Sequence, residues 1–69
     1  MMSSDPNVQE VITRDFWIIY RSNGQAGDFW RVEVRADGYQ GATIGEHAAT
    51  LEEACAVVVQ RLQEARDAG

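Results

Sequence analysis

Residues 29 to 35, Phe-Trp-Arg-Val-Glu-Val-Arg, alternate strictly between two kinds of side chain. Trp30, Val32 and Val34 fall on one side; Phe29, Arg31, Glu33 and Arg35 fall on the other. A strand has a side-chain period of two, so the pattern predicts a β-strand with one buried face. That strand constrains everything around it. Neighbouring strands must pair with it, and an element with an apolar stripe must cover Trp30, Val32 and Val34. The 69 residues hold one convincing helix, enough to cover one face of a sheet and leave the other open.

The covering helix announces itself at Thr50-Leu51-Glu52-Glu53, a capping box in which Thr50 caps and Glu53 reaches back. Leu51, Ala54, Cys55, Val58, Leu62 and Ala65 then recur at helical spacing, which predicts a helix to about Arg66. Glu53, Gln60, Glu64 and Asp67 form its opposite face, with the apolar Val57 on the flank.

Two further strands are expected. Residues 16–21 read as the first, apolar on both sides: Phe16, Ile18 and Tyr20 share one face, Trp17 and Ile19 the other. Trp17 and Ile19 are assigned to the open face, beside Phe29 and Arg31. Residues 22–27 read as a polar hairpin loop, and the second strand runs from about Asp28 to Arg35. A three-residue turn at Ala36-Asp37-Gly38 pairs Arg35 with Tyr39 and brings Ala42 and Ile44 to the face of Val32. Burying Ile44 there is worth roughly 1.5–3 kcal/mol. The third strand is expected from Tyr39 to about Gly45, and Tyr39 on the open face. Residues 1–4 are expected to be disordered. Asp5-Pro6 either opens a short helix with Val8, Val11 and Ile12 on one side, or continues as an extended arm. The predicted fold is α+β: an N-terminal arm or short helix over 1–15, then one β-β-β-α domain over 16–69. Its sheet is a three-stranded antiparallel meander, with the C-terminal helix packed on one face.

Catalytic chemistry finds little support. Cys55 is a lone cysteine among small apolar neighbours, which predicts a buried thiol and excludes an internal disulfide. His47 is the one histidine, read as an exposed residue of the loop before the helix. Glu52 and Glu53 complement the helix dipole and do not form an acid–base pair. No metal-ligand spacing and no phosphate-binding glycine loop occurs, so the expectation is a non-enzyme without cofactor or metal. The longest apolar runs, 16–20 and 54–59, fall far short of the ~18–20 residues that span a bilayer. The first residues show no basic or apolar region, so a cytoplasmic location is expected.

Charge supplies the functional signal. Eleven acids face six bases, all arginine, for a net charge of -5. Residues 13 to 36 are about neutral; the acidity belongs to the arm, the approach to the helix and the helix itself. Net acidity disfavours direct nucleic-acid binding. It suits a protein partner whose own surface is basic. Glu46, Glu52, Glu53, Gln60, Glu64 and Asp67 are the candidate acidic contact surface, a nucleic-acid mimic. Trp17, Phe29, Arg31, Glu33 and Arg35 are the candidate contact on the open sheet face, rich in the aromatic and arginine side chains that interfaces favour. The plainer alternatives are a solvated helix face, and a sheet face used for homodimerisation or covered by the N-terminal arm.

Gly27-Asp28-Phe29-Trp30-Arg31-Val32, then Gly45-Glu46 and Thr50-Leu51-Glu52-Glu53-Ala54, resemble the HicB-like antitoxin domain over roughly residues 16 to 65. That resemblance implies a β-β-β-α core, dimerisation and the binding of a small RNA-cleaving toxin. The region around Tyr20, Phe29 and Gly38 is similar to the YegP-like domains, and the order of elements to integrase arm-binding domains, which are basic. In size and acidity the chain resembles small phage-encoded inhibitors, including anti-CRISPR proteins. These resemblances imply a small acidic inhibitor of a nucleic-acid-handling partner, with a HicB-like antitoxin as the alternative and a homodimeric interaction module as a third.

Overall fold

A computed structural model describes residues 5–24, 27–35 and 42–68. The element order is α1 (Pro6–Ile12), β1 (Trp17–Gly24), β2 (Gly27–Arg35), β3 (Thr43–Ala48) and α2 (Leu51–Ala68). The strands form one antiparallel sheet in the order β1-β2-β3, with α2 over β2 and β3, and α1 packed on α2. The α+β architecture is the expected one.

The N-terminal segment is a helix rather than an extended arm. The Asp5 carboxylate accepts hydrogen bonds from the backbone N–H groups of Asn7, at 2.8 Å, and Val8, at 3.3 Å, and Pro6 occupies the first turn. At α2, the Thr50 hydroxyl accepts from the Glu53 N–H at 3.1 Å, as a cap should. Among the described residues no bond returns from the Glu53 carboxylate, so half of the expected box closes.

The core joins Val32 and Val34 of β2 to Ala54, Cys55, Val58, Val59 and Leu62 of α2, with Val8 and Val11 of α1. Val59 lies outside the expected stripe. It is buried because α2 has two neighbours, the sheet and α1, and so needs a wider apolar arc. Ala65 was expected to join the stripe and is exposed, as are all described side chains from 63 to 67. The last turns of α2 run past the core.

Three strand expectations need correction. The hairpin is tighter than a six-residue loop: β1 and β2 stay paired out to Gly24 opposite Gly27. Gly27 has φ +101°, a left-handed conformation that glycine adopts freely. β3 begins at Thr43 and ends at Ala48, so Arg35 faces Thr43 and not Tyr39. The displacement of four residues is even, so Ile44 still shares the face of Val34, its direct partner. Pairing the β-branched Thr43 and Ile44, with Ala48 against Trp30, carries the chain to the start of α2. His47 therefore sits on a strand, not in a loop. The expected turn at 36–38 and the position of Tyr39 lie outside the described residues, as do residues 1–4.

The third correction concerns Trp17. It pairs with Val34, and Ile19 with Val32, so both belong to the helix-covered face. The β1 residues on the open face include Ile18, Tyr20 and Ser22.

Candidate interaction surfaces

The open face of the sheet is built from Ile18 and Tyr20 of β1, Phe29, Arg31, Glu33 and Arg35 of β2, and Thr43, Gly45 and His47 of β3. Its polar groups are tied to one another. Arg31 Nε donates to Glu33 Oε2 at 3.2 Å, and the Tyr20 hydroxyl approaches the same oxygen at 3.5 Å. Gly45, opposite Glu33, leaves room for this arrangement. A Cβ on Gly45 would lie 2.6 Å from Arg31 Nη2 and 3.1 Å from Glu33 Cγ. At one end Phe29 packs against His47, ring centroids 5.3 Å apart and tilted by 58°. At the other, the Arg35 guanidinium lies 5.1 Å from the centre of the Phe16 ring, in cation–π contact.

Of the five expected sheet-face residues, the structure brings together Phe29, Arg31, Glu33 and Arg35 and excludes Trp17. Sequence reasoning missed Ile18, Tyr20 and His47 as members. The signal was the parity of the β1–β2 hairpin, which decides which half of β1 joins Phe29.

The acidic positions divide into three groups. Glu53, Gln60, Glu64 and Asp67 follow one another at steps of 7, 4 and 3 residues along α2, all exposed, with Val57 between them at 37% exposure. This stripe is about 21 Å long at 1.5 Å per residue. Glu52 is also exposed but lies round the helix toward Cys55. Glu46 does not belong to the surface: it lies on β3 opposite Val32, and Arg61 Nη1 donates to its carboxylate at 2.6 Å.

Ion pairing separates the two charge types. Five of the six arginines are engaged within the chain: Arg14 donates to the Arg35 carbonyl, Arg21 pairs with Asp28, Arg31 with Glu33 and Arg61 with Glu46, and Arg35 covers Phe16. Among the described residues, Glu52, Glu53, Glu64 and Asp67 make no ion pair. Four of the described carboxylates that make no ion pair thus stand on α2, with Glu10 and Asp15 outside it.

Two other places carry polar or nucleophilic groups. An open polar cleft of about 230 Å³ is lined by Glu10, Thr13, Arg14, Asp15, Phe16 and Arg35. It holds both signs of charge and no nucleophile–base pair. Cys55 is fully buried; burial first, then the Asp5 and Glu52 carboxylates, pushes its thiol up to about 11. Such a thiol holds its proton at neutral pH and is a poor nucleophile. Among the described residues no group of three or more His, Cys, Asp or Glu side chains converges as a metal site, and no helix is long and apolar enough to cross a membrane.

No family model matches the chain, and no curated protein or solved structure matches it.

Proposed function

We propose that this protein acts without catalysis, by stoichiometric binding to a nucleic-acid-handling protein whose activity it inhibits. The observation that carries the reading is the imbalance of charge satisfaction: arginines are spent on internal contacts while the α2 carboxylates face solvent unpaired. A partner that holds nucleic acid presents a basic groove. A rigid helix bearing Glu53, Glu64 and Asp67, with Val57 as an apolar contact among them, is complementary to such a groove. Glu52 adds charge at the edge of this surface. The open sheet face, with Tyr20, Phe29, Arg31 and His47 preassembled, is the second contact. The antitoxin reading is the special case in which the partner is a small RNA-cleaving toxin; the β1-β2-β3-α2 order supports it.

The test compares wild type with E53Q/E64Q/D67N, which removes three charges and keeps the shape. Both proteins are immobilised and exposed to nuclease-treated lysate of the source cells. The reading predicts that wild type retains a nucleic-acid-binding protein, that added oligonucleotide displaces it, and that the variant loses it at least ~10-fold, each charged contact being worth about 1 kcal/mol or more. Equal retention by the variant, or a partner indifferent to oligonucleotide, contradicts the mimic.

A further inference from the structure

Among the described residues, the exposed large apolar side chains are Trp17 at 42%, Ile18 at 41%, Tyr20 at 43% and Val57. Three of these four lie on one edge strand, β1, and neither helix packs on β1 to more than a marginal extent. Edge strands normally carry guards against pairing with another chain: a proline, a bulge, or inward charge. β1 has no proline, pairs with β2 without interruption from Trp17 to Gly24, and bears no charge before Arg21. The other edge, β3, differs. It is shorter, carries Glu46 and His47, and lies under α2.

We propose that β1 pairs antiparallel with β1 of a second copy of this chain, joining two three-stranded sheets into one of six strands. A two-fold axis perpendicular to the sheet keeps each face continuous. It therefore requires that a residue face one of the same parity. Centring the axis on Ile19 places Ile19 against Ile19 of the second copy, Ile18 against Tyr20, and Trp17 against Arg21. Each pair is productive. Ile18–Tyr20 is an aromatic–β-branched cross-strand pair on the open face, and Trp17–Arg21 sets a guanidinium against an indole. All three exposed apolar residues of β1 are then used, each twice.

Charge permits the second copy as occupant. Each chain carries -5; among the described residues the acids without an ion pair are Glu52, Glu53, Glu64 and Asp67 on α2, which lies over β2 and β3 away from the axis, and Glu10 and Asp15, which precede β1. At about 4.8 Å per strand the two α2 helices are ~20 Å apart across the joined sheet. That exceeds the Debye length of about 8 Å at physiological salt, so their repulsion is largely screened. The β1 strands that meet carry one charged side chain each, Arg21, which is paired with Asp28 of its own β2, and no acid.

Sedimentation and disulfide trapping test the register together. Wild type is expected to move from 7.7 kDa toward twice that mass as concentration rises through the micromolar range. Ile18→Lys, on an exposed side chain outside the core, is expected to stay folded by circular dichroism and weaken dimerisation at least ~10-fold. Ile19→Cys is expected to form a dimer-spanning disulfide under mild oxidation, since directly opposed residues lie about 4.5–5.5 Å apart between Cα atoms. Ile18→Cys alone is not expected to do so. It should cross-link when mixed with Tyr20→Cys. The buried Cys55 does not compete. A wild type that stays at 7.7 kDa up to millimolar concentration overturns the proposal. So does a dimer that tolerates Ile18→Lys and shows no trapping at 19, which would place the interface elsewhere. A monomer whose β1 amides gain protection only when an unrelated extended peptide is added also overturns it, and makes β1 a receptor for another protein.

Discussion

β1 and β2 are neighbours in one sheet with comparable apolar content and opposite fates. Val32 and Val34 of β2 are completely buried, while Trp17, Ile18 and Tyr20 of β1 keep 41–43% of their surface exposed. Side-chain chemistry does not explain this, since Trp and Ile are at least as apolar as Val. Position does. β2 is paired on both sides and turns Val32 and Val34 toward α2; β1 is paired on one side, its Trp17 lies beyond α2, and its Ile18 and Tyr20 stand on the face away from it. One helix of 18 residues, leaning on two strands and on α1, has no further surface for a third strand. The apolar content of β1 is therefore more than the monomer uses.

The sharpest way to break the comparison is to place the same kind of change on both strands. Val32→Asp buries a carboxylate with no partner, which costs several kcal/mol. A single core of this size supplies roughly 3–5 kcal/mol. The variant is expected to be unfolded by circular dichroism at 25 °C. Ile18→Lys on β1 is expected to keep the fold, within about 1 kcal/mol of wild type by urea titration. Equal damage from both would mean that β1 is as enclosed as β2.

The hairpin that sets the two strands in register is the next target. Gly27 holds φ +101°, and a Cβ there meets no atom within 4 Å, so the cost of Gly27→Ala is conformational alone. Roughly 1–3 kcal/mol is expected, seen as a fall in Tm of at least ~4 °C. No change in Tm would show that the Gly24–Gly27 closure is not what fixes Trp17 opposite Val34.

This register also shows how much was legible beforehand. The alternation of 29–35, the Thr50 cap and the apolar stripe of α2 are local patterns, and they led to the right elements. The face of Trp17 was misassigned although the information was present. Arg21 closing on Asp28, or Gly24 on Gly27, gives an odd sum, and either puts Trp17 opposite a valine. The β3 register was not legible in the same way. It depends on how residues 36–42 connect two strands, and no local pattern of periodicity specifies that. The burial of Val59 is not legible from the stripe alone because it needs α1, a seven-residue helix whose sequence fits an extended arm equally well. The engagement of Glu46 by Arg61 joins residues 15 positions apart, which composition cannot foresee.

The smallest expected effect lies on the open face of the sheet, where Gly45 of β3 faces Glu33 of β2. Gly45→Ala would force Arg31 Nη2, 2.6 Å from the new Cβ, to move and would crowd Glu33. A half-exposed ion pair of this kind is worth up to about 1 kcal/mol. The variant is expected to lose less than that by urea titration, and to show a shifted Arg31 Nε resonance. An unchanged resonance would mean that the Tyr20–Glu33–Arg31 arrangement does not depend on the missing side chain.

The claim that β1 is an edge left open by its own chain is tested most directly by residue-resolved amide hydrogen exchange in dilute solution. Every N–H of the central strand from Trp30 to Val34 is bonded within the sheet and is expected to exchange only on global unfolding. Along β1, protection is expected to alternate: amides directed at β2 slow, amides directed outward as fast as in a loop. Uniform slow exchange along Trp17–Asn23 at concentrations where the chain is monomeric would contradict the account.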